Sequence, residues 1–158
     1  MRQWAKFWHA GWLLLPWLAL AGSALTLPDI GGNPHALSEF IGHGRWTIVA
    51  LWSVDCAICQ REIPQIAFFH DEHRRKNAAV LGVAIDGVAE RTRIKKFVGD
   101  NALGFPNLIA ERGDVAEFGA GPLIGTPTYL FFSPTGKLVT WRVGSTSLTE
   151  MEKIIAAR

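Results

Sequence analysis

Two cysteines make up the whole thiol content of this chain, and they stand three apart as Cys56-Ala57-Ile58-Cys59. They follow the apolar run Trp46-Thr47-Ile48-Val49-Ala50-Leu51-Trp52 and open a stretch with helical spacing. A strand that delivers a cysteine to a helix N-terminus sets its sulfur against free backbone N–H groups and the positive end of the helix dipole. Both favour thiolate over thiol. The chemistry open to such a pair is thiol–disulfide exchange, in which the first sulfur attacks a disulfide and the second resolves the mixed disulfide.

Other uses of the same spacing fit less well. A structural zinc site needs four ligands, normally from a second Cys pair or a close His pair, and the chain has no second Cys pair. Covalent haem attachment needs His directly after the second cysteine, where Gln60 stands. A purely structural disulfide across so short a loop would constrain the unfolded chain little. A redox dithiol with no metal and no bound cofactor is therefore the expectation.

The first two dozen residues bear on where such a dithiol works. Arg2 and Lys6 give a basic start, and from Phe7 to Pro28 there is no Asp, Glu, Lys or Arg. The run from Ala10 to Ala21 reads as the apolar centre of a secretory signal, with small residues for cleavage at Ala19-Leu20-Ala21 or Gly22-Ser23-Ala24. An uncleaved anchor is the alternative, since Phe7 to Leu27 approaches the ~20 residues that span a bilayer. Trp4, Trp8, Trp12 and Trp17 would suit its interfaces. Residues 1–24 are thus expected to be a signal peptide or membrane anchor, and 25–158 a single domain.

The chain carries 16 basic and 14 acidic side chains, and without Arg2 and Lys6 the remaining domain has 14 of each. A neutral domain without a Lys/Arg stripe has no electrostatic footprint for nucleic acid, and Arg74-Arg75-Lys76 reads as a solvated helix C-terminus.

The elements that must position the dithiol follow from patterning. Gly31-Gly32-Asn33-Pro34 between apolar residues predicts an irregular hairpin over 25–40. Residues 46–52 and 78–85 are continuous apolar strands of the kind buried on both faces of a sheet. Helical spacing runs from Cys56 to about Lys76, kinked at Pro64, and again from Val88 to about Asn101. A short strand at 107–110 and a helical turn at 114–118 follow. Residues 128–132 and 137–141 flank Ser133-Pro134-Thr135-Gly136 as antiparallel strands. Ser147-Leu148-Thr149-Glu150 is a capping box that announces a last helix.

This order resembles the thioredoxin fold and, more closely, the exported thioredoxin-like proteins of the TlpA/ResA family. The motifs are Leu51-Trp52-Ser53-Val54-Asp55-Cys56-Ala57-Ile58-Cys59 with Glu62 and Pro64 beyond, Phe105-Pro106, and Gly125-Thr126-Pro127-Thr128 before an apolar strand. The resemblance implies an α/β fold, a thioredoxin-like three-layer sandwich around a central mixed β-sheet. It implies Cys56 as nucleophile and Cys59 as resolving thiol. Pro127 matches a cis-proline beside the dithiol, leaving the Thr126 backbone free to pair with substrate. Glu62 matches an acidic residue that tunes thiol acidity and contributes to recognition. The partners implied are a disulfide-containing protein substrate and a membrane electron donor, in the periplasm. The enzyme would be soluble after cleavage or anchored in the inner membrane, and it would act in cytochrome c maturation or thiol repair.

The chain departs from that family in three places. Ile58 stands where proline usually precedes the second cysteine, and Asp55 where tryptophan is common. Residues 120–124 lengthen the approach to Pro127. Asp55 acts on Cys56 in opposite senses, its charge opposing the thiolate while an acidic residue favours a helix start.

Two rival functions share the scaffold. A peroxiredoxin-like peroxidase would use Ser53, three before Cys56, but wants a proline near Val49 that is absent. A copper-delivery module would add a histidine to the two thiolates, yet none follows His73. His70-Asp71-Glu72-His73 reads as a solvated helix end rather than a metal site, and Trp46, Trp52 and Trp141 as core.

Overall fold

The computed structural model describes residues 25–157, so the signal or anchor expected at 1–24 lies outside the described residues. The first turn is set by Asp29, whose Oδ1 accepts the N–H groups of Gly31 and Asn33, each at 2.8 Å. Gly32 takes the left-handed φ of +98° that this tight reversal needs. The turn joins β1 (Thr26–Pro28) and β2 (Pro34–Ala36) as the predicted antiparallel hairpin, and a 3₁₀ turn over Leu37–Glu39 follows.

The apolar runs form the sheet. β3 (Trp46–Trp52) pairs in parallel with β4 (Ala78–Ala84), from Trp46 opposite Ala78 to Trp52 opposite Ala84. β5 (Asn107–Ile109) adds in parallel beside β4, and β6 (Thr128–Phe132) lies antiparallel against β3. β7 (Leu138–Val143) closes the far edge, giving the order β5-β4-β3-β6-β7 in a mixed five-stranded sheet. The sheet is the thioredoxin-like one expected.

Helix α1 (Ala57–His73) connects β3 to β4, and α2 (Arg91–Asp100) connects β4 to β5. Both crossovers step the same way along the sheet, so a common right-handed sense places both helices on one face. The packing agrees. Ile63, Ile66 and Phe69 of α1, Ile94 and Val98 of α2, and Met151 and Ile155 of α3 (Leu148–Ala156) share one core with Ile48, Ala50 and Trp52. Alternate residues of the same strands, Val49, Leu51, Leu81, Val83 and Leu130, face the other way. There they meet Leu27 of the hairpin and Val115 and Phe118 of a 3₁₀ segment, Arg112–Phe118. The third layer is thus made of short elements.

Three local expectations need correction. Ser147 caps α3 by accepting the Glu150 N–H at 3.2 Å, but the Glu150 carboxylate takes Arg142 Nε at 3.2 Å, so only half of a capping box forms. Trp141 is 46% exposed, because β7 is an edge strand with a neighbour on one side only. His70 is no solvated residue. It falls on the Ile63 and Ile66 stripe of α1, and its ring is buried with them.

Candidate active site

Cys56 occupies the N-cap of α1 in an extended conformation, φ −88° and ψ 107°. Its Sγ accepts the backbone N–H of Cys59 at 3.1 Å, so the sulfur itself takes the part that a Ser or Asp oxygen plays at other helix starts. The two cysteines are joined as a disulfide. Cys59 is completely buried in the core beneath α1, whereas Cys56 keeps partial exposure. The more accessible sulfur is therefore the one held at the positive helix end.

Opposite the sulfur lies the turn before β6. The Thr126–Pro127 peptide is cis, and the Thr126 carbonyl oxygen stands 3.4 Å from Cys56 Sγ, within reach of a thiol proton once the pair is reduced. Pro127 is buried, and its carbonyl accepts Gly144 N–H at 2.8 Å. The Thr128 hydroxyl donates to Gly125 O at 2.7 Å. These bonds pin the turn on both sides of Thr126, whose own N–H has no hydrogen-bond partner among the described residues.

The loop that presents Cys56 is fastened by a residue that sequence reading passed over. Asp86, just past β4, accepts the Ser53 hydroxyl at 2.6 Å and the Val54 N–H at 3.1 Å. Ser53 Oγ in turn accepts Asp55 N–H at 3.2 Å. A carboxylate at the C-terminal end of a buried strand, level with the end of its parallel neighbour, was the available signal.

Asp55 is answered by another unforeseen residue. Arg93 on α2 donates to it at 2.5 and 3.3 Å and to Glu90 at 2.9 Å. Hydrogen bonding from Arg93 holds the Asp55 carboxyl below the usual carboxylate range. The charge beside Cys56 is therefore paired, which weakens its opposition to the thiolate, although both partners are exposed and the pair is open to screening.

Glu62 lies one helical turn beyond Cys59 and is half-buried. Its Oε2 accepts the hydroxyl of Tyr129 at 3.2 Å, and its Oε1 accepts the hydroxyl of Ser145. Tyr129 is fully buried on β6, and burial first, then the Glu62 charge, pushes its phenol well above the ordinary range. Beside this carboxylate is an open cleft of about 470 Å³, with Arg61, Gln65 and Thr146 in its walls.

Of the predicted residues, Cys56, Cys59, Thr126 and Pro127 meet at one point, while Glu62 is held to the side by Tyr129 and Ser145. His70 and His73 lie at the other end of α1 and do not act together. The His73 ring stacks on Phe69 at 4.2 Å and its Nδ1 is 3.0 Å from Asn77 Oδ1.

The chain as a whole is similar to known proteins. Residues 21–140 match the model of the AhpC/TSA family. Thiol-disulfide oxidoreductase ResA of Oceanobacillus iheyensis is 26% identical over 117 residues, 73% of this chain and 57% of that protein. Sporulation thiol-disulfide oxidoreductase A of Bacillus subtilis is 22% identical over 111 residues, 70% of this chain and 66% of that one. The chain therefore spans between about half and two thirds of the length of these curated relatives. A thioredoxin-family thiol:disulfide interchange protein from Chlorobium tepidum superposes with a TM-score of 0.71 at 18% identity, covering 84% of this chain and 90% of that one. That likeness establishes the fold.

Proposed function

The chain belongs to the AhpC/TSA family, and from that premise we propose that it is an exported thiol:disulfide oxidoreductase that reduces protein disulfides through Cys56 and Cys59. The observation that carries the reading is the half-exposed sulfur of Cys56 at the N-cap of α1, facing the Thr126 carbonyl across a cis-proline turn. The two curated relatives bear the name thiol-disulfide oxidoreductase, which supports the same reaction class.

In the reductive direction both cysteines begin as thiols. The Cys56 thiolate attacks one sulfur of the substrate disulfide, forming a mixed disulfide and expelling the other substrate sulfur as a thiolate, which takes up a proton. Cys59, deprotonated, then attacks Cys56 Sγ. The Cys56–Cys59 disulfide forms and the second substrate thiolate leaves, so two electrons pass from the dithiol to the substrate. The unpaired Thr126 N–H offers a donor to an extended substrate segment lying along the turn. Glu62, held by Tyr129 and Ser145, acts as a positioning and recognition group. Re-reduction in an oxidising compartment requires a thiol or membrane electron donor, and the composition of residues 1–24 supports export to the periplasm, as a cleaved leader or an inner-membrane anchor. Among the described residues no helix is long and apolar enough to cross a membrane. Apocytochrome c or another periplasmic protein with mispaired cysteines is the substrate class proposed.

A peroxidase is less well supported on the same family premise. The Ser53 hydroxyl that would serve it is committed to Asp86.

Trapping tests the assignment. Cys59→Ser should accumulate mixed disulfides with disulfide-bearing proteins, resolved on non-reducing gels, and Cys56→Ser should capture almost none. Equal capture by both variants would refute the division of roles.

A further inference from the structure

At the end of α1 remote from the dithiol, a cavity of about 290 Å³ opens between the last turn of the helix and the first residues of β3 and β4. Arg45, Arg74 and Arg75 stand in its wall beside the ring of His70 and the apolar surfaces of Phe40 and Val80. Arg45 Nη1 donates to the Arg74 carbonyl at 3.1 Å, which anchors that guanidinium and leaves its other donors unspent. Arg74 meets Asp71 through Nε at 3.3 Å, and its Nη groups make no hydrogen bond among the described residues. Arg75 has no hydrogen-bond or ion-pair partner among the described residues.

The buried member of the wall adds a directed donor. His70 is 7% exposed, and its Nδ1 accepts the Val80 N–H at 3.1 Å. A backbone amide can only donate, so the neutral ring must carry its proton on Nε2. That N–H makes no protein hydrogen bond among the described residues and stays open to solvent or a ligand in the cavity. The single carboxylate in the wall, Glu39, has both oxygens occupied, by Ala36 N–H and by His35 Nδ1, each at 2.8 Å.

Basic residues at a helix C-terminus complement the helix dipole, and that alone accounts for Arg74 and Arg75. It does not account for Arg45, which arrives from the loop before β3, or for an imidazole N–H that opens on the cavity with no protein acceptor. Arg45, Arg74 and Arg75 are exposed, so solvent screens their mutual repulsion, and an oxyanion between them would gain from all three. Their planar forks match tetrahedral oxyanions. The volume is at the small end of ligand pockets, which start near ~300 Å³.

We propose that this cavity binds a phosphate-type oxyanion, with Arg45, Arg74 and Arg75 as charge partners and His70 Nε2–H as a neutral donor, the apolar wall accepting the organic part of a phosphate ester. A soluble ester and a lipid headgroup present the same group.

The test is calorimetric titration of the full chain with inorganic phosphate and with phenyl phosphate, in the wild type and in Arg45→Gln, Arg75→Gln and the exposed control Arg112→Gln. Saturable binding should weaken at least about tenfold in each cavity variant and stay within about twofold in the control. Displacement of phenyl phosphate by vesicles of phosphatidylglycerol in phosphatidylcholine, but not by pure phosphatidylcholine, would assign the headgroup source. Failure of both vesicles to displace it would assign a soluble ester. If neither phosphate compound binds, vesicle binding that depends on Arg45 and Arg75 would still support the site. Absence of any such dependence, or equal loss in Arg112→Gln, would overturn it.

Discussion

Acidification should weaken this domain through His70. The ring is buried, lies 5.9 Å from the Phe105 ring centroid, and accepts the Val80 N–H on Nδ1. A second proton must go to that same nitrogen, which breaks the bond and orphans a buried amide at a cost of about 1–3 kcal/mol. Burial is the largest influence holding the His70 pKa below its ordinary 6.5, and Arg74 and Arg45 push the same way against Asp71. A folded-state pKa below the unfolded one means that the unfolded chain binds more protons as the pH falls. Stability therefore does not depend on this group above about 6.5, declines from there down to the depressed pKa, and loses no more below it. Within that window a single group can contribute a slope of at most about 1.4 kcal/mol per pH unit. Urea unfolding at a series of pH values should show this in the wild type and not in His70→Gln, whose side-chain oxygen can accept an N–H but does not titrate. His35, raised by Glu39 and Asp29, has the opposite sign and is common to both proteins, so the difference isolates His70. Parallel pH profiles for the two proteins would refute the reasoning.

Glu62→Gln should lower the Cys56 pKa, by up to about 1 unit, and slow reduction of a folded disulfide substrate more than that of a small one; no change in thiolate absorbance titrations or in either rate would reduce Glu62 to a structural residue. Arg93→Gln leaves Asp55 unpaired beside the thiol, so the Cys56 pKa should rise by a few tenths of a unit at low salt and return in the Asp55→Asn/Arg93→Gln double variant. A salt-independent rise would point to a structural cause. A fusion of residues 1–30 to a reporter that folds only in an oxidising compartment should be active outside the cytoplasm. A full-length cytoplasmic product would remove the export reading.

What was legible in the chain was what is contiguous in it. β3 and β4 are near-continuous apolar runs, and the dithiol and the Thr126-Pro127 turn are local motifs, so each followed from a short window of sequence, whereas their meeting across 70 residues was implied only by the family resemblance. His70 could have been placed too. It lies seven residues after Ile63 and four after Ile66, on the apolar stripe, but its polarity suggested solvent. The side chains that fasten the Cys56 loop and hold Glu62 could not be placed that way, since Asp86 reaches Ser53 across 33 residues, Arg93 reaches Asp55 across 38, Tyr129 reaches Glu62 across 67 and Ser145 reaches it across 83. Each of these contacts exists only because the β-sheet is already assembled. Asp86 depends on the parallel pairing of β3 with β4, and Tyr129 on the antiparallel pairing of β3 with β6. The position of the two sulfurs is thus written locally, while the groups packed round them are a property of the assembled sheet.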